Sequence, residues 1–319
     1  MKKKVFITTV LAVIVVMVPS SSRGEYSFGQ WAVDTGLAAD VTTVEAQSQG
    51  ITSLDGLSDY PNIEVLVLSN NPITRIKVDD FAGMHIGEML LSATDITIIE
   101  TGAFSEMQNL YRLYLNDKIP LENKFLNWRG AKFRNLTALT IKDLSVTTID
   151  LSFAELTQSA FDAMMTGGGA AFIGMGELNS ISEINFTNAD LSGVTQFNQM
   201  YSMTNLQTLN LANTLFAPSV ISGNYQEVVV LANALEQQGI LSFLTIDFAV
   251  YAARQSYWDD WDAQPLNELT VVFAVPGRDC TAPIRGDMNN DCKIDFKDLA
   301  DIVSRWLECN LEPEDLCWQ

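Results

Sequence analysis

Near the C-terminus the stretch "GDMNNDCKIDFKDL", residues 286–299, gathers oxygen-bearing side chains at a spacing that suits metal coordination. Counted from Asp287, the first, third, fifth, ninth and twelfth positions are Asp287, Asn289, Asp291, Asp295 and Asp298, and Lys293 at the seventh offers its backbone carbonyl. This is the oxygen spacing of a calcium loop. Carboxylates crowded in this way repel one another, and a divalent cation among them removes the repulsion. The expected cofactor is therefore Ca2+, with these six residues as its ligands. Cys292 stands at the sixth position, where the sharp turn usually takes glycine.

Elsewhere the chemistry is weaker. "YWDDWDAQP", from Tyr257 to Pro265, sets Trp258 and Trp261 beside Asp259, Asp260 and Asp262. Aromatic faces and carboxylates can hold a sugar, and a carboxylate pair can hydrolyse a glycosidic bond, but hydrolysis needs two opposed carboxyl groups and these are neighbours in one stretch. Packing at the end of the fold is the favoured reading. The single histidine, His85, has no G-x-S-x-G elbow to serve, and "TGGGAAFIGMG" lacks the G-K-[ST] of a phosphate loop. The chain is expected to be non-catalytic, with an extracellular polysaccharide-degrading enzyme, or a component of such a complex, as the alternative.

The chain opens with Lys2, Lys3 and Lys4, an apolar run from Val5 to Val18 and then small residues, the layout of a secretory signal peptide over residues 1–24. The run is too short to serve as a membrane anchor, so no membrane span is expected after cleavage. The formal net charge of −20 disfavours nucleic acid and anionic membranes as partners. All four cysteines, Cys280, Cys292, Cys309 and Cys317, lie in the last 40 residues. In an exported protein they are disulfide candidates, and three pairings are open, among them Cys280 with Cys292 and Cys309 with Cys317. The expected location is secreted or at the cell surface.

Most of the chain consists of the elements that would carry these groups. A spacing of apolar residues, L-x-x-L-x-L, recurs from Val41, Ile63, Ile86, Leu110, Leu136, Ile181 and Leu206, with weaker copies from Leu241 and Leu266. The clearest copy is "IEVLVLSNNPI", with Ile63, Leu66, Leu68, Asn71 and Ile73, and the first five starts are 22 to 26 residues apart. Phe81 with Met84, and Phe104 with Met107, recur on the returning leg. Over about residues 40 to 275 the chain resembles the leucine-rich repeat family. That resemblance implies an α/β solenoid with a concave parallel β-sheet over residues 41–275. Residues 25–40 form its N-terminal cap, with Trp31 covering the apolar end.

Behind the calcium loop, Leu299, Ile302, Val303, Trp306 and Leu307 share one face of a helix. A G-D-x-N-x-D loop feeding such a helix resembles the dockerin module. The resemblance implies a small α-helical, EF-hand-like module over residues 276–319 that docks or anchors the chain, with a cohesin-like protein as the partner class. Dockerins carry two such loops in tandem, and only one is complete here.

Strand alternation turns the residues between the leucines outward. Arg112, Tyr114 and Asn116 are expected at the centre of a binding face, with Lys142, Asn185 and Asn210 on the same surface, facing a protein or a glycan.

Overall fold

The computed structural model describes residues 25–115, 120–141, 146–168, 174–175, 180–216, 226–237 and 241–272. The expected signal peptide, the expected calcium loop and all four cysteines lie outside the described residues, as does the expected module over residues 276–319. Among the described residues no helix is long and apolar enough to cross a membrane.

Each coil has only short strands of its own, so its backbone finds hydrogen-bond partners in the coils above and below. The first wall stacks β1 (Thr43–Glu45), β2 (Val65–Val67), β4 (Glu88–Leu90), β6 (Arg112–Tyr114) and β9 (Ala138–Thr140), all parallel. A second wall stacks β7 (Phe125–Asn127), β10 (Thr148–Asp150), β12 (Glu183–Asn185), β14 (Thr208–Asn210), β16 (Phe243–Asp247) and β17 (Glu268–Val272), again parallel. Its ladder begins earlier, at β3 (Arg75–Ile76) and β5 (Ile98–Ile99). Thr97 N donates to Thr74 O, Glu122 N to Thr97 O, and Thr147 N to Lys124 O. The third wall stacks β8 (Lys132–Phe133), β11 (Glu155–Thr157), β13 (Asp190–Gly193) and β15 (Leu215–Phe216).

Partway along, the first wall changes its material. After β9 its next layer is α2 (Gln158–Thr166), whose end takes over the ladder where Leu139 N donates to Gly167 O. A short 3-10 turn at Asn198–Ser202 packs on α2, and α3 (Gln226–Glu236) packs on that turn. The copies from Ile181, Leu206, Leu241 and Leu266 therefore stand in the second wall, whereas those from Val41 to Leu136 stand in the first. The single concave sheet expected from the repeats is divided in two. The overall assignment of a leucine-rich repeat solenoid, with mixed α/β content and parallel strands, fits this arrangement.

Both walls point their alternate residues inward. Leu66 and Leu68, Met89 and Leu91, Leu113 and Leu115 in the first wall are buried, as are Leu126 and Trp128, Ile149 and Leu151, Ile184 and Phe186 in the second. Rings run through the interior: Phe81 to Phe104 and Phe104 to Phe133 at 5.8 Å, and farther along Phe161 to Phe197 at 5.3 Å and Phe197 to Phe216 at 6.1 Å. At the start, α1 (Phe28–Thr35) is capped by Ser27 and sets Phe28, Trp31 and Ala32 over the first coil. Gly56, in a left-handed turn at φ 84°, lets α1 approach closely, since a β-carbon there would come within 2.8 Å of the Gly29 Cα.

Corners leave the walls by one device. The third residue past a strand is left-handed: Ser48, Asn70 and Ala93 after the first wall, Gly130, Phe153, Asn188 and Asn213 after the second. Behind the corner at Asn70, Asn71 is buried and fully satisfied. Its Oδ1 accepts from Gln49 N at 2.9 Å and Ile51 N at 3.1 Å, and its Nδ2 donates to Ala46 O at 2.7 Å and Leu68 O at 2.8 Å. The equivalent Thr94 makes one such bond, to Leu91 O, and Ala189 has no group to make any. Replacing Asn71 with alanine strands four backbone groups away from water. We expect Asn71→Ala to cost about 3 kcal/mol and Thr94→Ala about 1 kcal/mol, measured by urea unfolding.

Candidate functional site

The outward face of the first wall forms a grid set by strand register. One row reads Thr43, Val65, Glu88, Arg112 and Ala138, and the other Glu45, Val67, Leu90, Tyr114 and Thr140. Opposed in register, Arg112 and Glu88 pair directly, one guanidinium nitrogen donating to both carboxylate oxygens at 3.1 Å. Tyr111 Oη donates to the same carboxylate at 3.4 Å, and the guanidinium lies 5.8 Å from the Tyr111 ring. The hydrogen bond to Glu88 raises the Arg112 pKa above its ordinary value, so the group carries its charge throughout the accessible range. With the arginine side chain 38% exposed, the pair adds only about 0.5 kcal/mol to folding. Its geometry matters more than its stability.

Beside that pair, Val65, Val67, Leu90 and Tyr114 are half-buried on a face where solvated strands normally carry polar groups. Aliphatic side chains around an arginine and two tyrosines match the composition at the centre of protein interfaces.

The other expected site residues divide differently. Asn116 and Lys142 lie outside the described residues. Asn185 and Asn210 stand on the second wall, away from Arg112 and Tyr114. There they close turns: Asn185 Oδ1 accepts from Thr187 N at 3.0 Å, and Asn210 Oδ1 accepts from Ala212 N at 3.0 Å. Asn127 and Asp150 do the same at the equivalent corners, and Asn185 Nδ2 donates to Asp150 Oδ1 at 3.2 Å. An amide oxygen already engaged by the backbone two residues on is a turn element. The four described residues thus do not form one surface.

The stretch around Trp258 and Trp261 is α5 (Gln255–Asp262), which follows α4 (Phe248–Ala253). Both indoles are buried, and Trp258 Nε1 donates to Val250 O at 3.1 Å. Asp259 accepts from Tyr251 Oη at 2.7 Å, and Asp262 accepts from Leu269 N at 2.7 Å. The helix packs against β17, the last described strand, and neither ring is open for a sugar to stack on. His85 is exposed and hydrogen-bonded to Asn109 at 3.0 Å.

Sequence reasoning chose Arg112 and Tyr114, put Glu88 on the same face without pairing it with Arg112, and passed over Tyr111. The signal for Glu88 was legible: it and Arg112 hold the same repeat position with opposite charges. The position of Tyr111, just before the strand, gave no such cue. Among the described residues no three groups of histidine, cysteine or carboxylate type are arranged to hold a metal ion.

No protein-family model matches the chain. No curated protein matches it either. Among solved structures it is similar to an internalin from Listeria monocytogenes, at 19% identity over 73% of this chain and 68% of the other, with a TM-score of 0.23. The solenoid is read from the strand ladders themselves.

One titration lies close to neutral pH and belongs to the scaffold. Asp80 is buried on the turn after β3, and its Oδ2 accepts from Lys77 N at 2.6 Å. Burial pushes its pKa up to about 6. A carboxyl raised above its unfolded value holds its proton more tightly when folded, so stability falls as pH rises from about 4 to 6. The expected loss is about 1 to 3 kcal/mol over that window. Asp80→Asn should abolish this slope in melting curves recorded from acid to neutral pH.

Proposed function

We propose that the protein is a non-catalytic extracellular recognition protein. It grips a protein partner through the first wall and docks or anchors through the calcium loop at its C-terminus. The observation that carries the first half is the outward cluster of Val65, Val67, Leu90 and Tyr114 around the Arg112–Glu88 pair. Apolar groups left on a solvent face gain free energy only when something covers them. The paired charges within the patch add orientation, because a partner that fails to meet them must desolvate them unpaired. A recognition role is also supported by the burial of Trp258 and Trp261, which removes the aromatic platform that a polysaccharide-degrading reading relied on.

The docking half rests on the spacing of Asp287, Asn289, Asp291, Lys293, Asp295 and Asp298, and on the dockerin resemblance. Calcium there would order the loop and the helix that follows it, and a cohesin-like module is the proposed partner. Secretion rests on the layout of the first 24 residues.

Capture experiments on the secretome of the source cells, using the full mature chain in calcium and in chelator, test both halves together. Arg112→Ala with Tyr114→Ala should abolish one set of captured proteins without changing calcium binding. Asp287→Ala with Asp298→Ala should abolish a second, calcium-dependent set, together with the single calcium site seen by calorimetry. Capture that ignores both pairs of substitutions would sink the proposal.

A further inference from the structure

The corner after the second wall carries a side chain out of character. Phe153 holds a left-handed backbone at φ 60°, where the other coils use Gly130, Asn188 and Asn213. Glycine and asparagine tolerate that conformation, whereas a bulky residue is crowded by its own β-carbon. Burial does not repay the crowding, because Phe153 is 48% exposed. Unrepaid backbone strain points to a role outside folding.

Its surroundings indicate which role. The Arg129 guanidinium, reaching from the preceding coil, lies 4.7 Å from the centre of the Phe153 ring. Arg129 is exposed and forms no ion pair among the described residues, whereas Lys132 and Arg134 of the same coil both meet Glu155. On the far side, Asn213 Nδ2 donates to Asn188 Oδ1 at 3.1 Å. Successive coils are about 4.8 Å apart. An arginine, a ring and two amides are therefore spaced in one line along the edge between the second and third walls. Next to that line Ser152 and Ala212 are buried, Asn188 and Asn213 are half-buried, and Arg129 and Phe153 stand exposed.

We propose that this edge binds a linear anionic polysaccharide, carrying uronate or sulfate groups, laid along the solenoid axis. Arg129 meets the acid group, with the bidentate geometry available only to a guanidinium. Phe153 packs against the C–H face of a sugar ring, and the half-buried Asn188 beyond it has its amide nitrogen left for a hydroxyl. A protein partner fits the edge less well, because the row is one side chain wide and carries a single apolar ring, unlike the broad cluster on the first wall. The net charge of −20 repels an anionic chain over most of the surface, and Arg129, which forms no ion pair among the described residues, is the local exception at which one could approach. The site is independent of the first-wall reading and stands or falls separately.

The test is affinity electrophoresis of the full mature chain through gels containing polygalacturonate, dextran sulfate, neutral dextran or poly-L-glutamate, at low and at high salt. Retardation is expected with polygalacturonate or dextran sulfate, and the stronger of the two identifies the acid group. Phe153→Asn and Arg129→Gln should each weaken it about tenfold or more. Arg75→Gln, which removes a cation elsewhere, should leave it unchanged. The melting temperature of Phe153→Asn should be no lower than that of the parent, since asparagine suits the corner, and this separates lost binding from lost folding. No retardation by either anionic polymer, equal retardation by poly-L-glutamate, or equal loss in Arg75→Gln would overturn the assignment.

Discussion

The inter-coil hydrogen-bond ladder is the constraint on which everything else depends. A coil of this chain contributes strands of only two to five residues, too short to be stable alone, and its polar backbone can be satisfied only by the coils on either side. Each strand must therefore start at the same height on its wall. Glu64 N reaches Thr42 O, Gly87 N reaches Glu64 O and Tyr111 N reaches Gly87 O, so insertions are confined to the connections between walls. That is why the starts drift from 22 to 26 residues while the strands stay in register.

The same constraint explains how the first wall can change from strand to helix without ending the solenoid. Beyond β9 the end of α2 takes up the ladder through the hydrogen bond from Leu139 N to Gly167 O, while the second wall continues unbroken through β10 and β12. One intact ladder carries the register across the exchange. Apolar continuity is kept by Phe161, which leaves α2 to pack between Phe186 and Phe197. The material of a wall is negotiable as long as its neighbours keep the height and the interior stays filled.

Repeat spacing was legible because burial imposes it, and the exchange of walls was not, because both walls obey the same spacing. Val146, Ile149 and Leu151 form a full L-x-x-L-x-L copy in β10, yet Val146 also reads as the trailing apolar residue of the copy from Leu136. Two overlapping copies look like one long repeat. The strand at Leu126 and Trp128 was hidden for a different reason: Asn123 stands where the leading apolar residue would be. Arg112 and Tyr114 were placed on the outward face because outward positions follow from alternation alone. Asn185 and Asn210 were placed on the surface of Arg112 but stand on the second wall, because a periodic pattern does not tell the two walls apart.

The division of the sheet has a functional consequence. Outward side chains take little part in the ladder, so their identity is nearly free of the demands of folding, and each wall can acquire its own chemistry. The first wall has gathered valines, a leucine and tyrosines around a charge pair. The second has filled the equivalent positions with Asn127, Asp150, Asn185 and Asn210, which stabilise its corners, while Phe243 stands exposed on the strand face of β16. On that wall the departure from turn chemistry is displaced to the edge, where Phe153 takes a corner suited to asparagine. A single uninterrupted sheet would have presented one surface. The exchange at β9 gives one continuous core two differently equipped faces.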